Sequence, residues 1–117
     1  MDIQDLTAKS EEASRLLSLL ANPHRLRILC ALHDGEHSVT ALEGVVDLSQ
    51  SALSQHLAKL REAKVVKTRR EAQTIYYAIV DERAERLLAL MYELFCAPPR
   101  QTEARRQVKA GKSPGKR

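Results

Sequence analysis

Two thiols and one polar helix face are the parts of this 117-residue chain whose residue types and spacing could do chemistry. Cys30 and Cys96 stand far apart, and no C-x-x-C occurs. A thiolate can act as a nucleophile, ligate a soft metal or close a disulfide. Two cysteines are too few for a stapled secreted scaffold, so free thiols in a reducing compartment are expected, and any bond between them is conditional. The second feature is the stretch Leu48 to Ala63, LSQSALSQHLAKLREA. Leu53, Leu57 and Leu60 recur at three- and four-residue steps with Ala52 and Ala63 beside them, making one helical face apolar. The other positions begin with Gln50, Ser51, Ser54 and Gln55 and end with Lys59 and Arg61. That order suits a helix whose first turns enter a DNA groove while later turns run beside phosphates. Taken alone, it also describes an ordinary solvated face.

Enzyme chemistry finds little support. There is no phosphate-cradling glycine loop, no G-x-S-x-G and no carboxylate pair in an evident pocket. The net charge of +4 is unevenly placed. From Pro98 onward, seven cations against Glu103 alone give +6, which leaves +4 − 6 = −2 on the preceding part. Within that part Lys59, Arg61, Lys64, Lys67, Arg69 and Arg70 fall within twelve residues, opposed by Glu62 only. Local sign is what phosphate would meet. No apolar run of about eighteen residues occurs, so no membrane span is expected. The polar, acidic start MDIQDLTAKSEE is unlike a secretory signal, and a cytoplasmic protein is expected.

The length suits one domain with a modest core. One Phe, three Tyr and no Trp favour a helix-rich fold. Residues 5–21 read as a first helix with Ala13, Leu16, Leu17 and Leu20 on one face. Asn22 caps a second, with Pro23 in its first turn and Gly35 as its stop, and its apolar residues mark it as central. Ser38 opens a third helix that buries Leu42, Val45 and Val46, although Thr40 and Glu43 offer a second capping-box start. A short turn, Asp47-Leu48-Ser49, leads into the Leu48–Ala63 helix, and Ser49 is its expected N-cap. Two helices so joined form a helix-turn-helix. The period then changes. Val65–Arg70 and Thr74–Val80 read as a hairpin around Glu71-Ala72-Gln73, a turn without the favoured Asn-Gly or Asp-Gly pair. Lys67, Arg69, Arg70, Gln73 and Thr74 lie at or near its tip. A cationic hairpin directly after a helix-turn-helix makes a winged helix. Asp81 caps a fifth helix, ended by Pro98-Pro99, whose apolar surface exceeds what one small domain uses. A homodimer through the terminal helices is therefore expected. The domain is placed at 1–97, and 98–117 reads as a basic, disordered tail.

ANPHRLRILCAL, LSQSALSQHLAKLR and TRREAQTIYY together resemble the ArsR/SmtB family of dimeric winged-helix repressors, over about residues 11 to 96. Within it they look like the persulfide-responsive branch of BigR, SqrR and YgaV, and like NolR. The resemblance implies a sequence-specific repressor bound as a homodimer to an inverted-repeat operator in double-stranded DNA. It implies no cofactor. The arsenic-type cysteine motif of the third helix does not carry over, because HSVTALEGVV holds no cysteine, nor does the zinc-type site, because DERAERLLALMYELF holds no histidine. The cysteine pair does: Cys30 in the ILC segment and Cys96 ending the last helix match the branch. Resemblance then implies cross-linking by reactive sulfur, as a disulfide or a longer polysulfide, and release of DNA.

The residues themselves leave several readings open. Arg27 and His33 flank Cys30 at helical spacing and would lower its pKa, while Leu26 and Leu29 would raise it. Cys96 faces a helix C-terminus that opposes the thiolate, with Arg100 as an offset. Two small packing residues, general redox sensing, an effector-independent repressor, an architectural DNA binder, and zinc held by Cys30, His33 and Cys96 are the alternatives. On the DNA side, Ser49, Gln50, Ser51, Ser54, Gln55 and His56 are the candidates on the recognition helix. Lys59, Lys67, Arg69, Arg70, Gln73 and Thr74 are the candidates for phosphate or the minor groove.

Overall fold

Asn22 begins the element on which the others pack. Its Oδ1 accepts from the backbone N–H groups of His24 at 2.9 Å and Arg25 at 3.0 Å, and Pro23 follows at the first helical position. Both features favour starting a helix there. The computed structural model describes residues 1–96. In it the elements are α1 (Ile3–Ala8), α2 (Ser10–Leu20), α3 (Pro23–His33), β1 (His37–Ser38), α4 (Val39–Val45), α5 (Gln50–Glu62), β2 (Val66–Glu71), β3 (Thr74–Ile79) and α6 (Glu82–Phe95). Ile28, Leu29 and Leu32 of α3 meet Leu42 of α4, Leu53, Leu57 and Leu60 of α5, Val65, Val66, and Ala84 and Leu88 of α6 in one buried cluster. No polar or charged side chain is buried among the described residues.

The winged helix-turn-helix is present, with six helices among the described residues where five are expected. The first helix divides at Lys9 (φ −105°, ψ 9°) and starts at Ile3 instead of residue 5. Asp2 caps the short first piece, and the Thr7 hydroxyl donates back to the carbonyl of Ile3 at 2.8 Å. Residues 1–10 are all exposed, so no packing opposes the break. Val45 is also corrected: it is exposed, because Leu42 and Val46 complete the inward side of a seven-residue helix. Ser38 does cap that helix, accepting from the N–H of Ala41 at 3.0 Å. The segment from Pro98 onward, with the expected tail, lies outside the described residues.

The hairpin gains a third strand. The two residues of β1 pair antiparallel with β3, His37 opposite Tyr77 and Ser38 opposite Tyr76, so the sheet order is β1-β3-β2. Two residues are too few for a periodic signal. β2 runs one residue later than expected because α5 ends in a Schellman motif. Lys64 turns left-handed (φ 64°), its N–H donating to Arg61 at 2.9 Å and that of Val65 to Leu60 at 3.0 Å. At the wing tip Glu71 pairs with Thr74 across two residues, and Ala72 adopts φ 56°. A left-handed alanine costs about 1–2 kcal/mol. Glycine relieves that while losing about 0.4–1 kcal/mol to its freer unfolded chain. Ala72→Gly should therefore raise Tm by about 2–6 °C; thermal unfolding followed by circular dichroism reads this, and an unchanged or lower Tm would count against strain at the tip.

Candidate nucleic-acid interface and thiol pair

Ser49 starts α5 by accepting from the N–H of Ala52 at 3.1 Å, so its hydroxyl oxygen is committed to the cap. Leu53, Leu57 and Leu60 then fasten the inner face of the helix to the core. Gln50, Ser51, Ser54, Gln55 and Lys59 are thereby held outward, all exposed on one rigid element. That is the arrangement groove readout requires. His56 is placed differently. It is half-buried against α3, its ring 5.6 Å from that of His24 and its Nδ1 3.4 Å from Arg25 Nη1. Burial first, then the charges of Arg25, His24 and Lys59, hold its pKa below the usual imidazole value. Arg25 is itself anchored, Nε donating to the carbonyl of Leu19 at 2.6 Å. His56 is thus a packing group between α3 and α5.

On the wing, Lys67, Arg70 and Gln73 are exposed and Thr74 is half-buried. Among the described residues neither Lys67 nor Arg70 sits in an ion pair. Arg69 is fully engaged. Its Nε and Nη2 reach the two oxygens of Glu36 at 2.8 Å each, its Nη1 reaches Glu71 Oε1 at 2.8 Å, and its Cζ lies 4.3 Å over the Tyr76 ring. Glu36 responds with a pKa below the ordinary carboxylate value, chiefly through that hydrogen bond. Glu36 and Tyr76 were not candidates from sequence. The pairing spans 33 positions, and no local pattern announces it.

Cys30, on α3, and Cys96, the C-cap of α6, are free and exposed. The helices that carry them pack on one another. A cleft of about 440 Å³ opens beside Cys30, lined also by His33, Asp34, Leu88, Ala89 and Tyr92. The Cys96 backbone N–H donates to Tyr92 at 2.8 Å, which sets Cys96 one turn beyond that wall. The opposed influences on Cys30 resolve upward. Partial desolvation on the cleft side, then the charges of Cys96 and Asp34, raise its pKa above the ordinary thiol value. The expected cations are diverted: Arg27 Nη1 lies 3.5 Å from His24 Nδ1, and His33 Nδ1 lies 2.5 Å from Glu85 Oε1. Less thiolate at a given pH means slower attack. In a Cys96→Ser protein, Cys30 should alkylate several-fold more slowly than a small thiol at pH 8, and Asp34→Asn should speed it. Iodoacetamide kinetics by mass spectrometry measure both, and a rate above that of the small thiol would contradict the assigned environment. Among the described residues no three His, Cys, Asp or Glu side chains are grouped to hold a metal ion, and no helix is long and apolar enough to cross a membrane.

Residues 22–68, which run from the Asn22 cap through α5 into β2, match the family described as "Bacterial regulatory protein, arsR family". The Biofilm growth-associated repressor of Agrobacterium fabrum is 47% identical over 90 residues, 77% of each chain. The chain belongs to the arsR family. The Transcriptional activator HlyU of Vibrio cholerae is 45% identical over 96 residues, 82% of this chain and 89% of that one. The crystal structure of the transcriptional repressor BigR from Xylella fastidiosa superposes with a TM-score of 0.79 at 38% identity, covering 84% of this chain and all of that one (100%). Family membership makes this arsR-family chain a transcription regulator and not an enzyme. Its winged helix-turn-helix is the shared part.

Proposed function

We propose that this arsR-family chain is a homodimeric transcriptional repressor that binds a two-fold related operator and releases it when reactive sulfur joins Cys30 to Cys96. The observation that carries the sulfur part is the placement of the two free thiols. One sits on the helix at the centre of the DNA-binding core, and the other ends the helix with the most exposed apolar surface. A bond between them ties those two parts together. Gln50, Ser51, Ser54 and Gln55 read base edges in the major groove, while Lys59, Lys67, Arg70, Gln73 and Thr74 meet phosphate or the minor groove. The dimer forms through α1, α2 and α6, and the protein acts in the bacterial cytoplasm, where the DNA is.

The test begins with an operator selected from random-sequence DNA by the reduced protein. Binding to that operator and to random duplex is compared across salt, before and after a persulfide, with intact mass recorded on the same sample. A selected inverted repeat, and weaker binding once the cross-link mass appears, support the proposal. No sequence preference would leave an architectural binder. Full cross-linking with unchanged affinity would leave an effector-independent repressor, a reading that the raised pKa of Cys30 favours.

A further inference from the structure

Arg69 is the most heavily engaged side chain on the wing, and its partners do not suit a DNA contact. One guanidinium faces two carboxylates, Glu36 at 35% and Glu71 at 68% side-chain exposure, so its charge is already matched. A phosphate arriving there finds the guanidinium's N–H groups already taken by carboxylates. The geometry instead resembles a strap. β2 and β1 are the outer strands of the sheet, with β3 between them. Arg69 lies on β2, stacks across its β3 partner Tyr76, and forks onto Glu36, one residue before β1. All three strands are thus tied by one side chain. Ser38 of β1 is also the N-cap of α4, the first helix of the helix-turn-helix. The angle between wing and helix pair therefore passes through the joint that Arg69 holds. A planar fork does this better than an ammonium would, because two parallel N–H···O bonds fix orientation as well as distance.

We propose that Arg69 is a positioning residue, acting on DNA through Glu36 and Tyr76 by holding the wing beside α5, while Arg70, on the other face of the sheet, carries a phosphate contact of the wing. This rests on the DNA-binding reading above for its functional consequence, but not for the strap itself.

Four variants of the full chain separate the roles: Arg69→Gln, Arg69→Lys, Glu36→Gln and Arg70→Gln. Amide hydrogen exchange of the free protein reads the strap without DNA. Faster exchange at Tyr76 and Tyr77 in the first three variants, with α5 unchanged, is expected, and unchanged protection in all three would overturn the strap. Fluorescence anisotropy on the selected operator, across salt, reads the consequence. Arg69→Gln, Arg69→Lys and Glu36→Gln should each weaken binding about two- to fivefold, the scale of a surface ion pair. Their salt slopes should stay unchanged, and the Arg69→Gln/Glu36→Gln double variant should be no worse than either single one. Arg70→Gln should lower the slope by about one. Stronger binding by Glu36→Gln would show that a freed Arg69 finds a phosphate, and would overturn the assignment. So would a slope reduced by about one in Arg69→Gln, or full retention of affinity in Arg69→Lys. Failure of the wild type to bind DNA would sink the DNA-binding reading, with the exchange arm still deciding the strap.

Discussion

Persulfide treatment of the reduced protein should lower operator affinity by about 10- to 100-fold, the usual range of coupling between two sites. Cys30→Ser or Cys96→Ser should each abolish the response while leaving reduced-state affinity unchanged. The chemistry closes with these two thiols and one persulfide. One thiolate attacks the outer sulfur of RSSH, RSH leaves, and a protein persulfide remains. The other thiolate attacks its inner sulfur and expels hydrosulfide, leaving a disulfide; the protein thiols are oxidised by two electrons and the persulfide is reduced to RSH and H₂S. Further sulfur transfer before ring closure gives a longer bridge. Because partial desolvation disfavours the Cys30 thiolate, the response should quicken as pH rises toward the thiol's raised pKa. Closing a loop of this length constrains the chain by roughly 4 kcal/mol in the loop-entropy description. A full switch needs roughly 5.5 kcal/mol of differential preference. The loop effect acts on the unfolded chain, so the switch itself depends on how much better the link fits one arrangement of α3 and α6 than the other. A disulfide needs Cα atoms within about 7 Å, so the mass of the bridged species also reports the gap. Cross-linking at full yield with no change in affinity would end the proposal.

Local rules carried much of the fold. Asn22, Ser38, Ser49 and Asp81 each cap the helix expected of them, because a capping oxygen and the N–H groups it satisfies lie within three residues. The inner face of α5 was legible for the same reason, since helical spacing alone lines up Leu53, Leu57 and Leu60. What escaped were the features that no short window contains. The break at Lys9 depends on an absence of packing. The pairing of β1 depends on a partner strand nearly forty residues away. The left-handed turns at Lys64 and Ala72 use residues that advertise nothing. At the site, sequence supplied charge without direction: Arg69 and Arg70 looked equivalent side by side. Strand alternation sends them to opposite faces of the sheet, one onto Glu36 and Tyr76 and the other toward the Val66 side. The cations flanking Cys30 were visible, but not the nearer partners that claim them.

Leu94→Glu, or Leu17→Glu, should convert the protein to monomers and cost about 100-fold or more in operator affinity. Leu17, Tyr92, Leu94 and Phe95 are 55%, 59%, 64% and 76% exposed in a single subunit, far from the usual fate of such side chains when they stand together. Leu17 also lines a cleft between α2 and α6 with Ala13, Leu16 and Leu87, beside the Arg83–Glu12 ion pair. A second copy is the occupant that a two-fold operator calls for, since each subunit brings one recognition helix. Joining two half-site contacts converts the second into an intramolecular event, and losing that link forfeits a factor of about 10²–10⁴. Because both leucines are exposed within the subunit, a charge there should change its folding stability by no more than about 0.5 kcal/mol. Circular dichroism should therefore stay native while sedimentation shows half the mass. A variant that still sediments as a dimer would place the interface elsewhere. Under persulfide, a folded monomer should still join Cys30 to Cys96, because that reaction needs one subunit. Its weak DNA binding should not respond further, because the spacing of two recognition helices exists only in the pair.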